Sequence, residues 1–198
     1  MRSQLEALNR WIDEVAALTR PDRVQWCDGS DAEYAALVAG MLERGELIAL
    51  NPQTHPGCYL HRSDPADVAR VEHLTYVCTR ERADAGPNNP WMAPAEAHAK
   101  LDALYAGCMR GRTMYVVPYC MGPIDSPIAR CGVEVTDSPY VVASMRIMTR
   151  MGSAALRRIE HDGRFVRGLH SIGELDPERR FIMHFPEELG IKSYGSGY

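Results

Sequence analysis

The chain has 198 residues, 45% of them hydrophobic and 24% charged, a balance ordinary for a globular protein and a length that fits one sizeable domain over residues 1–198 or a lopsided pair. Its 22 basic and 26 acidic residues leave a net charge of −4, which gives no support to generic nucleic-acid binding, since that needs a basic stripe. No stretch approaches the roughly 18 apolar residues of a membrane helix, and the N-terminus opens an amphipathic pattern instead of an apolar secretory core, so the sequence reads as a cytoplasmic protein.

Leu5, Leu8, Ile12 and Val15 recur at helical spacing and predict an amphipathic helix over residues 3–19, stopped by Pro21. Residues 24–27 form a short strand candidate, and Asp28-Gly29 turns the chain. Ser30 followed by Glu33 is a capping-box pattern. It predicts a helix that buries Tyr34, Leu37, Val38, Met41 and Leu42 and closes on Gly45. Residues 50–70 are rich in turn formers. A strand is expected over 71–79, a loop over 83–94, and a helix from Pro94, which suits a first turn, to about Tyr105. Residues 113–118 and 132–136 are strands by β-branched and aromatic content. Ser138 before Pro139 starts a helix carrying Val141, Val142, Met145, Met148 and Thr149, and Gly152 either breaks it or marks a close crossing. Residues 181–185 supply one more strand. This irregular alternation predicts α/β or α+β, with a mixed β-sheet flanked by helices.

Six cysteines stand at 27, 58, 78, 108, 120 and 131, with no CxxC pair and no zinc spacing, and read as reduced, mostly buried thiols. Three arginine-bearing stretches are candidate anion sites: Arg62 to Arg70, Cys108 to Tyr115 with Arg110 and Arg112, and Ser144 to Met151 with Arg146 and Arg150 on one helical face. Each also has a plain reading: a capped helix with surface ion pairs, a charged turn before a strand, and a methionine-lined core helix. His170 and His184 have no partner at ligand spacing. No Ser-His-Asp elbow, HExxH or phosphate loop is present. The ending Tyr194-Gly195-Ser196-Gly197-Tyr198 reads as a ligand-binding turn, because its glycines let the backbone approach a ligand and its last tyrosine both donates and accepts.

Taken together, these blocks resemble the amino-terminal part of a GTP-dependent phosphoenolpyruvate carboxykinase, from about Trp11 to Tyr198. The carrying segments are Ser63 to Glu72, Gly107 to Pro118, Gly132 to Val142, Ser144 to Gly152, His184 to Glu187, and Ser193 to Tyr198. The resemblance implies the N-terminal domain of that fold and an enzyme that interconverts oxaloacetate plus GTP with phosphoenolpyruvate, carbon dioxide and GDP. It implies that Arg70 binds the substrate carboxylate, that Gly197 shapes the site, and that Tyr198 places its hydroxyl by that carboxylate and the departing carbon dioxide. It further implies Mn2+ and GTP, with Mg2+ on the nucleotide, in a full-length monomer.

The family's metal ligands, phosphate loop and nucleotide-binding domain correspond to positions beyond Tyr198, so the chain by itself is expected to be inactive. Asp125 stands where the family has a small residue and would oppose a nearby anion if its loop faced one. A second reading keeps a stand-alone, non-catalytic domain that binds a small dicarboxylate or a protein partner.

Overall fold

The computed structural model describes residues 2–65, 67 and 71–197. In chain order its elements are α1 (Glu6–Thr19), β1 (Arg23–Trp26), α2 (Asp31–Glu43), β2 (Leu47–Ala49), β3 (Tyr59–His61), β4 (Thr75–Val77), α3 (Pro94–Tyr105), β5 (Thr113–Met121), β6 (Arg130–Thr136), α4 (Pro139–Met148), β7 (Arg150–Met151), α5 (Ser153–Asp162), β8 (Val166–Ser171), β9 (Phe181–Phe185) and β10 (Gly190–Tyr194).

Local signals account for several boundaries. Arg20 caps α1 in the left-handed conformation immediately before Pro21. The Ser30 side chain accepts from the Glu33 amide, as the capping box requires. The return bond is displaced: Glu33 accepts from the amide of Gly29 at 2.9 Å, and the Ser30 amide turns to Asp28 instead. The helix predicted from Pro94 to Tyr105 forms over those residues. The strand expected over 71–79 shrinks to β4, because residues 72–74 wind into a 3-10 turn. The turn-rich stretch 50–70 holds half of an unpredicted hairpin, β2 against β3.

Eight strands form one sheet in the order β1-β5-β6-β8-β10-β9-β4, with β7 also paired to β5. The β5–β6 and β9–β10 pairs are antiparallel, while β1–β5, β6–β8, β8–β10 and β4–β9 are parallel. The sheet is therefore mixed and flanked by helices, as the sequence predicts.

One face packs against α1, α3 and α5, where Leu8, Ile12, Leu101, Tyr105 and Ile159 meet Val116, Val133, Val135 and Met183. Each such aliphatic or aromatic side chain contributes about 1.5–3 kcal/mol when withdrawn from water. The Tyr105 hydroxyl is shared between the carbonyls of Leu169 and Ser193, at 2.9 and 2.7 Å, so this buried phenol also ties β8 to β10. The other face receives α2 and α4 over β5, where Leu37, Met41, Val142 and Met145 surround Val117.

Gly152 sits between β7 and α5, pressed on the turn at Asp28. It has φ +89°, and an added Cβ would lie 2.0 Å from the Asp28 carbonyl oxygen. The helix α4 has already ended at Met148, so Gly152 does not break it; it marks a close approach of two backbones between β7 and α5. Arg150 consequently lies in β7, off the helix that carries Arg146, and the two do not share a helical face.

Because β6, β8 and β10 run parallel, their carboxyl ends lie at one edge of the sheet. The loops beginning at Asp137, Ile172 and Gly195 all start there, as does the approach to the antiparallel β5 through Arg112. Ligand sites in open α/β sheets form at such edges.

Candidate functional site

The Gly195–Gly197 turn is fastened at this edge from three directions. Asp67, whose side chain has no exposed surface, accepts from the Gly197 amide at 2.8 Å and from the Ser196 hydroxyl at 3.1 Å. Arg180, 2% exposed, donates from Nε to the Gly195 carbonyl at 2.9 Å and holds Nη2 3.6 Å from Asp67. His170 donates from Nε2 to the Ser196 carbonyl at 2.9 Å. A carbonyl only accepts, so Nε2 carries the proton and Nδ1 accepts from the Thr136 hydroxyl at 2.7 Å. Thr136 in turn accepts from the Ser138 amide. Burial lowers the pKa of His170, and the neutral tautomer is the one this relay needs.

Ser138 joins the turn to α4. Its hydroxyl oxygen accepts from the Val141 amide at 3.3 Å as the helix N-cap, while its proton goes to the Gly197 carbonyl at 3.2 Å. Ser138→Ala loses both bonds. It is expected to lower stability by about 1–2 kcal/mol in urea unfolding, and a loss below about 0.3 kcal/mol would contradict the double role.

Beside the turn opens a cavity of about 560 Å3 whose lining includes Arg44, Arg62, Arg112, Tyr115, Tyr140 and Gly197. Two of its three arginines are already engaged. Arg112 donates to the fully buried Asp137 at 2.7 Å, and Asp137 also accepts from Ser171 and the Ile172 amide. Arg44 forks onto Glu46 at 2.6 and 3.2 Å. Arg62 makes no ion pair among the described residues and is exposed at the cavity rim. His61 stacks on Tyr140 with ring centres 3.9 Å apart and donates from Nδ1 to the Glu46 carbonyl, which fixes that wall.

The structure thus joins parts of two predicted regions. Arg62, Ser63, Asp64 and Asp67 meet Ser196 and Gly197 across about 130 residues of sequence. Arg112 joins them, but Arg110, Arg146, Arg150 and His184 do not line the cavity. Arg146 instead pairs with Asp31 and lies over the Tyr34 ring. Asp125 is exposed on the β5–β6 loop, away from the lining. Arg70 and Tyr198 lie outside the described residues. Asp137, His170 and Arg180 act here through bonds that no sequence spacing announces. Among the described residues no three His, Cys, Asp or Glu side chains converge on one point, and both ring nitrogens of His170 are occupied, so these residues do not fit a divalent metal.

Comparison with known proteins identifies the family. The family described as phosphoenolpyruvate carboxykinase N-terminal domain matches residues 10–198. A phosphoenolpyruvate carboxykinase (GTP) of Anaeromyxobacter dehalogenans (strain 2CP-C) is 55% identical over 188 residues, which cover 95% of this chain and 32% of the relative. The protein of the same description from Chlamydia trachomatis is 49% identical over 203 residues, 96% of this chain and 34% of the relative, and that from Chlamydia pneumoniae is 49% identical over 205 residues, 98% and 34%. The chain spans about a third of the length of these relatives. With a mixed sheet, a glycine turn latched at its edge and a family match over nearly all its length, the chain belongs to the phosphoenolpyruvate carboxykinase N-terminal domain family.

Proposed function

We propose that this chain is the substrate-binding part of a cytoplasmic, monomeric GTP-dependent phosphoenolpyruvate carboxykinase, a lyase that interconverts oxaloacetate and phosphoenolpyruvate. The observation that carries the reading is the Asp67 latch. It bonds Asp67, three positions before Arg70 in the sequence, to Ser196 and Gly197 of the Gly-Ser-Gly turn, and so joins two stretches of chain in which the family resemblance assigns substrate contacts. In this reading Arg70 grips the substrate carboxylate with a planar fork of donors. Gly197, held by Asp67 and Ser138, sets the backbone wall, and Tyr198 orients its hydroxyl toward the carboxylate and the carbon dioxide that leaves.

Decarboxylation leaves an enolate, whose oxygen receives the γ-phosphoryl group of GTP. Mn2+ at the enolate and Mg2+ on the nucleotide would supply charge stabilisation from ligands outside the described residues. This chain's own contribution is binding and orientation, which convert an encounter into a positioned reaction.

The test is Arg70→Ala in the full-length enzyme. One lost charge-assisted contact of about 1.5–3 kcal/mol raises the KM for oxaloacetate about 10- to 150-fold, while the KM for GTP stays unchanged. An unchanged KM for oxaloacetate would remove Arg70 from the site. Calorimetric titration of the isolated chain with phosphoenolpyruvate separates substrate binding by this domain alone from binding that needs the whole enzyme.

A further inference from the structure

At the opposite end of β6 from the cavity, Cys120 and Cys131 face each other directly across the antiparallel β5–β6 pair. Both are free thiols, with Cys131 donating to Cys120 at a sulfur separation of 2.9 Å. Directly opposed residues of an antiparallel pair hold their Cα atoms about 4.5–5.5 Å apart. That lies inside the roughly 4.4–6.8 Å span of a disulfide, so the bond needs no rearrangement of the strands.

The two thiols differ in access. Cys120 is wholly buried, whereas Cys131 is partly exposed in a cleft of about 260 Å3 lined by Arg130, Arg158, Arg164 and Asp162. Three guanidinium groups against one carboxylate, which is itself bonded to Arg158 at 2.7 Å, leave this cleft positive.

We propose that Cys120 and Cys131 form a reversible dithiol–disulfide pair that is oxidised by small anionic disulfides entering through the arginine-lined cleft. Cys131 gives its proton to solvent and its thiolate attacks one sulfur of the incoming disulfide. The disulfide bond breaks, and one half leaves and takes up a proton as a free thiol. Cys120 then loses its proton and attacks the Cys131 sulfur of the mixed disulfide, releasing the second half as a thiol. Two protein thiols are oxidised to one disulfide and one small disulfide is reduced to two thiols, so atoms and electrons balance. Burial and the neighbouring Cys120 push the Cys131 thiol up to about 12, against a downward pull from Arg158, so the thiolate is scarce and the exchange is slow at neutral pH. Such a pair responds to sustained oxidation.

The exposed Cys58 would take only a mixed disulfide, so the test is made in a Cys58→Ser background. Incubation of the folded chain with glutathione disulfide is expected to remove two hydrogens and to yield a linked Cys120–Cys131 peptide in mass spectrometry. Cys120→Ser should stop at a glutathione adduct on Cys131, and Cys131→Ser should give neither product. Cystamine, a cationic disulfide, should react about tenfold more slowly, and Arg130→Gln with Arg164→Gln should narrow that ratio. The oxidised chain should melt several degrees higher, since the link restrains the unfolded state. A link that forms only in urea, or no link under excess glutathione disulfide, would overturn the pair. Equal rates with the two disulfides would overturn the role of the cleft.

Discussion

Asp67→Ala is expected to cost about 3–5 kcal/mol of folding stability, a large share of the roughly 5–15 kcal/mol that holds a domain together. The cost arises on the partner side. Arg180 is 2% exposed and its Nη2 has no hydrogen bond among the described residues, so Asp67, 3.6 Å away, is the counter-charge that balances its buried guanidinium. Taking the carboxylate away leaves that charge inside the protein and also strips the Gly197 amide and the Ser196 hydroxyl of their acceptor. Arg180→Met alone is also destabilising, because it takes one counter-charge from the buried Asp67 and leaves the Gly195 carbonyl without its donor. The double variant Asp67→Ala with Arg180→Met should lose less than the sum of the singles by about 1–3 kcal/mol, since the Arg180 charge that Asp67→Ala strands is then absent. Urea unfolding of the four proteins measures this cycle. Simple additivity, or an Asp67→Ala loss below about 1 kcal/mol, would show that the pair does not hold the turn. In the full-length enzyme the same substitution should raise the KM for oxaloacetate, because Gly197 loses its anchor.

The parts of this architecture that the sequence displays are those with a local cause. Pro94 at a helix start, Ser138 before Pro139, and Gly45 after an apolar periodic run each act within one turn of chain, and α3, α4 and the end of α2 follow. The helix α5 carries no such signal. It starts from Gly152 without a side-chain cap, and its place is decided by the contact of Gly152 with the Asp28 turn. The strands β8 and β10 hold Arg167, Gly168, His170 and Lys192, residues that local propensity sets against a strand. Their parallel pairing in mid-sheet, together with Tyr105 bridging two of their carbonyls, overrides that preference. The site divides in the same way. The glycine turn is visible because glycine and tyrosine in that order have a backbone meaning, and Arg62 and Arg112 because arginine has a ligand meaning. Asp67, His170 and Arg180 act through bonds to partners 15 to 130 positions away, and no spacing encodes those.

Glu134→Gln is expected to stabilise the isolated chain at alkaline pH and to change little at acid pH. Glu134 stands in register with Val117 and Gly168, on the face of the sheet that carries α2 and α4 over β5. Its carboxylate lies flat over Gly168, where an added Cβ would come within 1.8 Å of Oε2, and no hydrogen bond reaches it among the described residues. Burial carries it from an ordinary 4.5 up to about 8.

The sign follows from proton binding. Below about 4.5 the folded and unfolded chains are both protonated and Glu134 is neutral in stability. As pH rises the unfolded chain releases this proton while the folded chain keeps it until about 8, so stability falls steadily across that window. At about 1.4 kcal/mol for each pKa unit, trimmed because the residue keeps some contact with water, the loss at pH 8 is on the order of 2–4 kcal/mol. Glutamine has the same shape and no charge to bury, so Glu134→Gln should recover that amount at pH 8 and almost none at pH 5.

His170 and His184 are depressed by burial and pull the other way, withdrawing stability as pH falls below about 6.5, but they are present in both proteins and cancel in the difference. Urea midpoints of the two chains at pH 5, 6.5 and 8 give the measurement. A gain that is the same at pH 5 and pH 8 would mean that packing, and not the buried charge, separates glutamate from glutamine here. No gain at pH 8 would mean that the carboxylate finds solvent or a partner when it ionises.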